Sequence, residues 1–186
     1  MPETHVAFLR AINVAGHAIV KMDAVRDAFA SAGCRQVATV IQSGNIVFDL
    51  PARGRTAILE KVRHNLRDVI GQEPEMFVRT HRELEHIVAR APFKKLERKP
   101  ALKLYVVFLS RPPARKLQLP LVDSKEALEV VAVADLEVFV VSRQKKNGFY
   151  GFPNAFVEKT LGVPATSRNW STVKKLVEHD ASRHYA

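Results

Sequence analysis

Hydrophobic and polar residues alternate along the first half of the chain in a way that predicts four strands and two helices. The strands are 6–13, 37–42, 46–50 and 75–79, and the helices are 23–32 and 56–70. Gly33 and Gly71 follow the two helices, at the position where a left-handed residue commonly ends a helix. The predicted order is therefore strand, helix, strand, strand, helix, strand.

The second half repeats this order after a bridging helix that begins at Thr80, where Thr80 and Glu83 have the spacing of a capping box. Its strands are 102–109, 128–133, 136–141 and 165–168, its helices are 154–161 and 169–178, and a short helix or turn begins near Pro112 and Pro113.

The repeated order predicts an α+β fold of two tandem ferredoxin-like β-α-β-β-α-β halves with mainly antiparallel sheets, plus the bridging helix and a C-terminal helix. We expect a four-stranded sheet in each half, with the halves spanning 1–92 and 93–186. Residues 93–103 are the best candidate for a linker because they are basic, contain a proline and lack a clear period.

Composition limits the class of protein. The 186 residues are 47% hydrophobic and 26% charged, which is enough to bury a core. The single cysteine, Cys34, excludes an intrachain disulfide, and the short apolar runs predict no membrane span and no export signal, so we expect a cytoplasmic protein. The net charge of +10 favours an anionic small molecule or nucleic acid as partner, or else serves solubility alone.

A first candidate site follows from the predicted topology. A right-handed crossover brings the end of the first strand and the turn between the second and third strands to the same rim. Asn13, Lys21, Ser43 and Asn45 then lie near the start of the first helix, where free N–H groups favour an anion. The alternative is that the Ser43–Asn45 segment supplies only turn chemistry.

Arg10 stands in an otherwise apolar predicted strand, where a charge needs a partner or a wet cavity. It is interpreted either as a clamp for an anion or as one member of an ion pair, with Asp49 as a candidate partner.

Arg168 and Asn169 open the last predicted helix. Asn169 suits the N-cap position, and together with Arg168 it could face a phosphate or a carboxylate, although capping alone also explains it. Residues 146–152 superficially have the basic and aromatic pattern of an RNA-recognition strand, but they follow the third strand of their half as a loop. We therefore interpret them as aromatic loop packing or a hinge.

Motifs of known enzymes are missing from the sequence. The histidines do not form a His-Glu-x-x-His pattern, and there is no phosphate loop and no nucleophile elbow, so neither a metal nor a cofactor is predicted.

Three segments are similar to the bacterial family called domain of unknown function 1697. They are Phe-Leu-Arg-Ala-Ile-Asn-Val-Ala-Gly (8–16), Ile-Gln-Ser-Gly-Asn-Ile-Val-Phe (41–48) and the stretch 154–170. Ala11 and Ala15 replace two glycines of the family pattern, and 149–152 replace a more polar run. The residues of the pattern that are kept are Arg10, Asn13, Ser43, Gly44, Asn45, Arg168 and Asn169. The resemblance implies a two-lobed α+β protein whose biochemical activity is not established.

These observations lead to one main hypothesis and two alternatives. The main hypothesis is a protein that binds a phosphorylated metabolite or nucleic acid at a rim between the two halves. The candidate ligand-binding residues are Arg10, Asn13, Lys21, Ser43, Asn45, Arg168 and Asn169. The alternatives are an enzyme that acts without metal on a carbonyl or phosphate substrate, and a structural or interaction protein without a small-molecule ligand.

Overall fold

The structure is a computed structural model that describes residues 2–10, 12, 20–41, 44–96, 99, 101–114 and 118–183, with side chains as far as 179. The chain divides into two compact units. One comprises the chain as far as Leu84 together with its C-terminal end from His179, and the other is Glu85–Glu178. The predicted division after residue 92 stays a prediction.

The first unit has the ferredoxin-like order of elements. They are β1 (Glu3–Leu9), α1 (Met22–Ala32), β2 (Arg35–Thr39), β3 (Asn45–Leu50), α2 (Arg55–Ile70) and β4 (Met76–Thr80), and α3 (His81–Ala89) follows β4 directly. The sheet has the order β2-β3-β1-β4, and every neighbouring pair is antiparallel. Gly33 and Gly71 end α1 and α2 in the left-handed conformation, as predicted.

One face of this sheet packs against α1 and α2. Strand side chains alternate between the two faces, so Ala7, Leu9 and Phe48 point to the same core as Phe29 of α1 and Leu66 of α2. The rings of Phe29 and Phe48 meet edge to face, with centroids 4.9 Å apart. Each of these fully buried aromatic side chains contributes about 1.5–3 kcal/mol through burial.

The second unit repeats the plan with one change. Its elements are β5 (Leu102–Leu109), β6 (Leu121–Asp123), β7 (Leu128–Val133), β8 (Glu137–Arg143), α4 (Pro153–Leu161), β9 (Ala165–Asn169) and α5 (Trp170–Arg183), which belongs to this unit as far as Glu178. The antiparallel sheet has the order β6-β7-β8-β5-β9, so β7-β8-β5-β9 corresponds to β2-β3-β1-β4. The structure confirms the α+β fold with two ferredoxin-like halves.

The expectation of four strands in the second half was wrong, because β6 adds a fifth at the edge. In the part of 110–127 that the structure describes there is no helix corresponding to α1, and β6 stands in its place. Pro112, Pro113 and Pro120 disfavour a helix there, since proline has no N–H to donate and its ring clashes with the preceding turn.

The core of the second unit lies between the sheet and α4, where Tyr105, Val107 and Val140 pack with Val157. A separate aromatic group places Phe93 edge to face with both Phe139 and Trp170, at centroid distances of 5.9 and 5.4 Å. Trp170 is thus part of an apolar packing face. Within the described residues, the helices are all too short or too polar to cross a membrane.

Candidate functional site

The end of β1 meets the β2–β3 turn, as the predicted topology requires. The N–H of Leu9 donates to the carbonyl of Gly44 at 2.8 Å, and the N–H of Arg10 donates to the carbonyl of Glu75 at 2.9 Å. In the second turn of α1, Arg26 donates to the hydroxyl of Thr39 at 3.3 Å. The first turns of α1 therefore lie beside the end of β2.

Arg10 differs from the expectation in its position and in its partner. It lies just beyond β1, and its Nε is 3.1 Å from Oε2 of Glu75, with the two side chains 28% and 50% exposed. Asp49 instead accepts a hydrogen bond from the Thr4 hydroxyl at 2.9 Å. A half-exposed pair of this kind contributes about 0–1 kcal/mol, well below the cost expected for breaking a buried pair.

Asn45 is buried, with 3% of its surface exposed. Its side-chain Nδ2 donates to the main-chain carbonyl of Val40 at 3.2 Å, and the main-chain carbonyl of Asn45 accepts from the Val40 N–H at 3.0 Å. These contacts hold the β2–β3 turn together, and the buried Asn45 presents little surface to a ligand. Lys21 is exposed and precedes α1, and its carbonyl accepts from the N–H of Val25 at 3.3 Å. Asn13 and Ser43 lie outside the described residues.

A cavity of about 440 Å³ opens at this rim. It is lined by Leu9, Arg10, Ile12, Ile70, Gln72, Glu73, Pro74 and Glu75. Two carboxylates face one guanidinium in this lining, and Glu73 also pairs with Arg67. The local charge is therefore nearly balanced or negative, which is unfavourable for an anion.

A second cavity, of about 410 Å³, lies within the second unit where β9 ends and α5 begins. We call it the α5 cavity, and it is lined by Leu102, Lys103, Leu104, Tyr105, Asn169, Trp170, Ser171 and Lys174. Tyr105 and Asn169 form the end of the β5–β9 ladder, so 102–104 continue past the last residue of β9. This overhang of β5 beside the start of α5 forms the cavity.

The α5 cavity is basic. Two of its lining residues, Lys103 and Lys174, carry positive charge, and none of its described lining residues is acidic. Nζ of Lys103 is 4.4 Å from the ring centroid of Tyr150, and Nζ of Lys174 is 5.9 Å from that of Trp170. The positive end of the α5 dipole adds to the same field. The cavity therefore favours an anion.

The structure separates the two predicted residues at this end of the chain. Asn169 is exposed and lines the α5 cavity. Arg168 is half-buried, and its Nη1 donates to the Thr166 hydroxyl at 3.1 Å and to the Ser167 carbonyl at 2.8 Å. Burial lowers the pKa of Arg168 to about 10, so it remains charged at neutral pH. Because neighbours along a strand point to opposite faces, only Asn169 reaches the cavity.

The first unit provides an internal comparison for the α5 cavity. His5 pairs with Thr80 just before α3, in the same way that Tyr105 pairs with Asn169 just before α5. The two registers place Glu3 at the position of Lys103. The positions of the helices correspond as well, since Leu84 and Val173 are both fully buried at the fourth residue.

The corresponding positions differ in charge. Glu83 in α3 corresponds to Thr172 in α5, and Glu85 corresponds to Lys174. Oε2 of Glu83 accepts from the Thr80 N–H at 2.6 Å, while the N–H of Glu83 donates to the Thr80 hydroxyl at 3.1 Å, which confirms the predicted capping box. The start of α3 thus holds a carboxylate of the chain itself, whereas the start of α5 has lysines beside it.

Sequence reasoning missed Lys103 and Lys174. Lys103 falls in the predicted basic linker 93–103, and Lys174 lies in the predicted helix 169–178, of which only the first residue was considered as a site residue. The signal that could have found them is the match between Val6–Leu9 and Val106–Leu109, which aligns the halves and shows the exchange of Glu3 for Lys103. In the described residues, no group of three or more His, Cys, Asp or Glu side chains could hold a metal ion.

The fold and the α5 cavity define an α+β protein with duplicated ferredoxin-like halves and a basic cavity in the second. The chain belongs to the family described as "Protein of unknown function (DUF1697)", whose model matches residues 2–139. No curated protein matches the chain. Its fold is similar to that of the conserved bacterial protein SP0830 from Streptococcus pneumoniae, with a TM-score of 0.65 and 17% identity over 96% of this chain and 98% of the other.

Proposed function

We propose that the protein binds an anionic, phosphate-bearing ligand in the α5 cavity. The observation that carries the proposal is that Lys103 and Lys174 both line this cavity, while none of its described lining residues is a carboxylate. A lysine ammonium group donates N–H bonds and carries a full positive charge, and a phosphate group provides matching acceptors.

The difference in charge between the starts of α3 and α5 supports the same conclusion. Glu83 shows that a carboxylate fits against the start of α3, where it accepts the Thr80 N–H. The corresponding position of α5 has Thr172, which carries no charge, so an external anion could take the role that Glu83 has in α3.

Trp170 provides a direct measurement, because it is the single tryptophan of the chain and lines the α5 cavity. We expect nucleoside triphosphates, sugar phosphates or inorganic tripolyphosphate to change its fluorescence and to raise Tm, since a ligand that binds only the folded chain stabilises it. The variant K103A/K174A should lose both responses. The matched control is Lys159→Ala, which removes an exposed lysine on α4.

Equal responses in K103A/K174A and in wild type would contradict the proposal. Absence of any response to phosphate-bearing probes and to oligonucleotides would instead favour the structural or interaction protein. Ligand binding at the rim after β1 stays a prediction. It would require that Lys21→Ala or Arg10→Ala, and not K103A/K174A, removes the response.

A further inference from the structure

We infer that the α5 cavity and residues 149–152 beside it, which we call the aromatic segment, bind single-stranded nucleic acid. The phosphates would contact Lys103 and Lys174, and the bases would stack on Phe149 and Phe152. This inference rests on the proposed function and adds the class of ligand.

Two phenyl rings stand out on the surface between β8 and α4. Phe149 is 71% exposed and Phe152 is 59% exposed. The other large hydrophobic side chains of the described residues that are exposed, Ile41, Leu119 and Val122, are aliphatic. Exposed aromatic rings close together in one short segment are unusual and indicate a surface that contacts a partner.

The segment that carries these rings is held in place by hydrogen bonds. The N–H of Lys145 donates to the carbonyl of Phe149 at 2.8 Å, and the hydroxyl of Ser142 donates to the carbonyl of Gly151 at 3.0 Å. A Cβ on Gly151 would overlap the carbonyl oxygen of Glu126, so only glycine allows this close approach. The rings are therefore presented on an ordered loop, which lowers the entropy lost on binding.

The aromatic segment adjoins the α5 cavity. The hydroxyl of Tyr150 donates to the carbonyl of Ala101 at 3.3 Å, and Lys103 lies over the Tyr150 ring. Phe152 packs edge to face on Tyr105, with centroids 5.8 Å apart. Since Lys103 and Tyr105 both line the cavity, Tyr150 and Phe152 lie directly beside it, and Phe149 belongs to the same short segment.

The combination of groups favours a single strand over a small metabolite. Single-stranded nucleic acid repeats a flat base and a phosphate along its length, and proteins bind it with aromatic rings beside cationic side chains. A sugar phosphate would use the lysines and leave both phenyl rings exposed. The aromatic residues lie on a loop and not on a sheet strand, so the arrangement differs from the RNA-recognition sheet.

The test measures fluorescence anisotropy of labelled oligo-dT and oligo-U of twelve nucleotides with four proteins. They are wild type, F149A/F152A, K103A/K174A and the control L119A/V122A, which removes exposed aliphatic side chains instead. Circular dichroism and Tm establish that each variant is folded. We expect F149A/F152A to weaken oligonucleotide binding about tenfold or more, since a base on a ring contributes about 1–3 kcal/mol. The control should bind as wild type does.

Inorganic tripolyphosphate separates this inference from the proposed function, because it has charge but no base. F149A/F152A should keep its tripolyphosphate response at Trp170, while K103A/K174A should lose it. If oligonucleotides bind F149A/F152A as tightly as wild type, or bind no more tightly than tripolyphosphate, the inference is wrong and the phosphate site stands. If neither probe binds wild type, both fail, and the exposed rings are left to a protein partner.

Discussion

Cys34 is the single cysteine, and its burial in the core of the first unit determines its chemistry. It follows Gly33 at the end of α1, is 5% exposed and packs with the side chains of that core. Burial raises the pKa of its thiol to about 12, because the thiolate would lose its hydration. The reactive thiolate is therefore almost absent at neutral pH, and Cys34 is a structural residue and not a nucleophile.

Cys34 should consequently resist alkylation in the folded chain and should lower stability at high pH. The folded thiol keeps its proton between its ordinary pKa of 9.0 and about 12, while the unfolded thiol loses it. The folded state binds more protons in this window, so the free energy of unfolding falls as pH rises through it. Urea unfolding at about pH 8 and about pH 10.5 measures the fall, which should be smaller in Cys34→Ala.

Iodoacetamide provides the independent measurement. The native protein should stay unmodified while the chain in urea is alkylated. Tyr105, whose pKa burial also raises, contributes in the same direction to both proteins and cancels in the comparison. Rapid alkylation of the native chain, or an equal loss of stability in Cys34→Ala, would show that the thiol is accessible.

The partner of Arg10 shows why individual side-chain contacts were harder to predict than elements. Asp49 and Glu75 both follow apolar residues near β1 in the fold. The register places Asp49 opposite Thr4, far from the end of β1 where Arg10 emerges, and Glu75 just before β4 lies beside that end. Hydrophobic alternation indicates which face a residue occupies, but it does not determine the register between strands.

Helix ends were predicted well where a special residue marks them. Gly33, Gly71 and Gly162 all adopt left-handed conformations after α1, α2 and α4, and the Thr80–Glu83 capping box begins α3. β6 was missed because three residues are too few to show a period. The strand predicted at 37–42 begins two residues earlier and stops at Thr39, before Ile41, which has a φ of 69°.

The first turn of α5 offers a test of the comparison between α3 and α5. Thr172→Glu places a carboxylate where α3 has Glu83. Such a group should stabilise the helix by about 0.3–1 kcal/mol, because a negative charge is favourable at a helix N-terminus. The same charge should weaken binding of tripolyphosphate in the α5 cavity, because it competes with the ligand for the first-turn N–H groups and neutralises one lysine.

Thr172→Gln is the matched control, since it has the size of glutamate without the charge. We expect Thr172→Glu to raise Tm and to reduce the Trp170 response, while Thr172→Gln keeps the response close to wild type. A Thr172→Glu protein that binds tripolyphosphate as wild type does would show that the start of α5 takes no part in binding.

The duplicated architecture was predictable because the order of helices and strands repeats along the chain. The α5 cavity was not predictable from the sequence. The cavity exists because β5 extends past the end of β9, and that overhang depends on where pairing stops. Its lysines come from two segments, β5 and α5, that are separated by more than half of the second unit along the chain. Composition indicated an anionic partner through the net charge of +10, but it did not indicate where.

The dependence of binding on salt separates the general charge of the chain from the two lysines of the α5 cavity. For single-stranded nucleic acid, log K falls with log salt by about 0.7 for each phosphate that a protein neutralises. Lys103 and Lys174 together should therefore account for a slope of about −1.4, whatever other basic residues contribute. We expect the slope for oligo-dT to be less steep by this amount in K103A/K174A and unchanged in Lys159→Ala. Identical slopes in all three proteins would mean that the net charge of +10 acts as a diffuse field and that the α5 cavity is not where the strand binds.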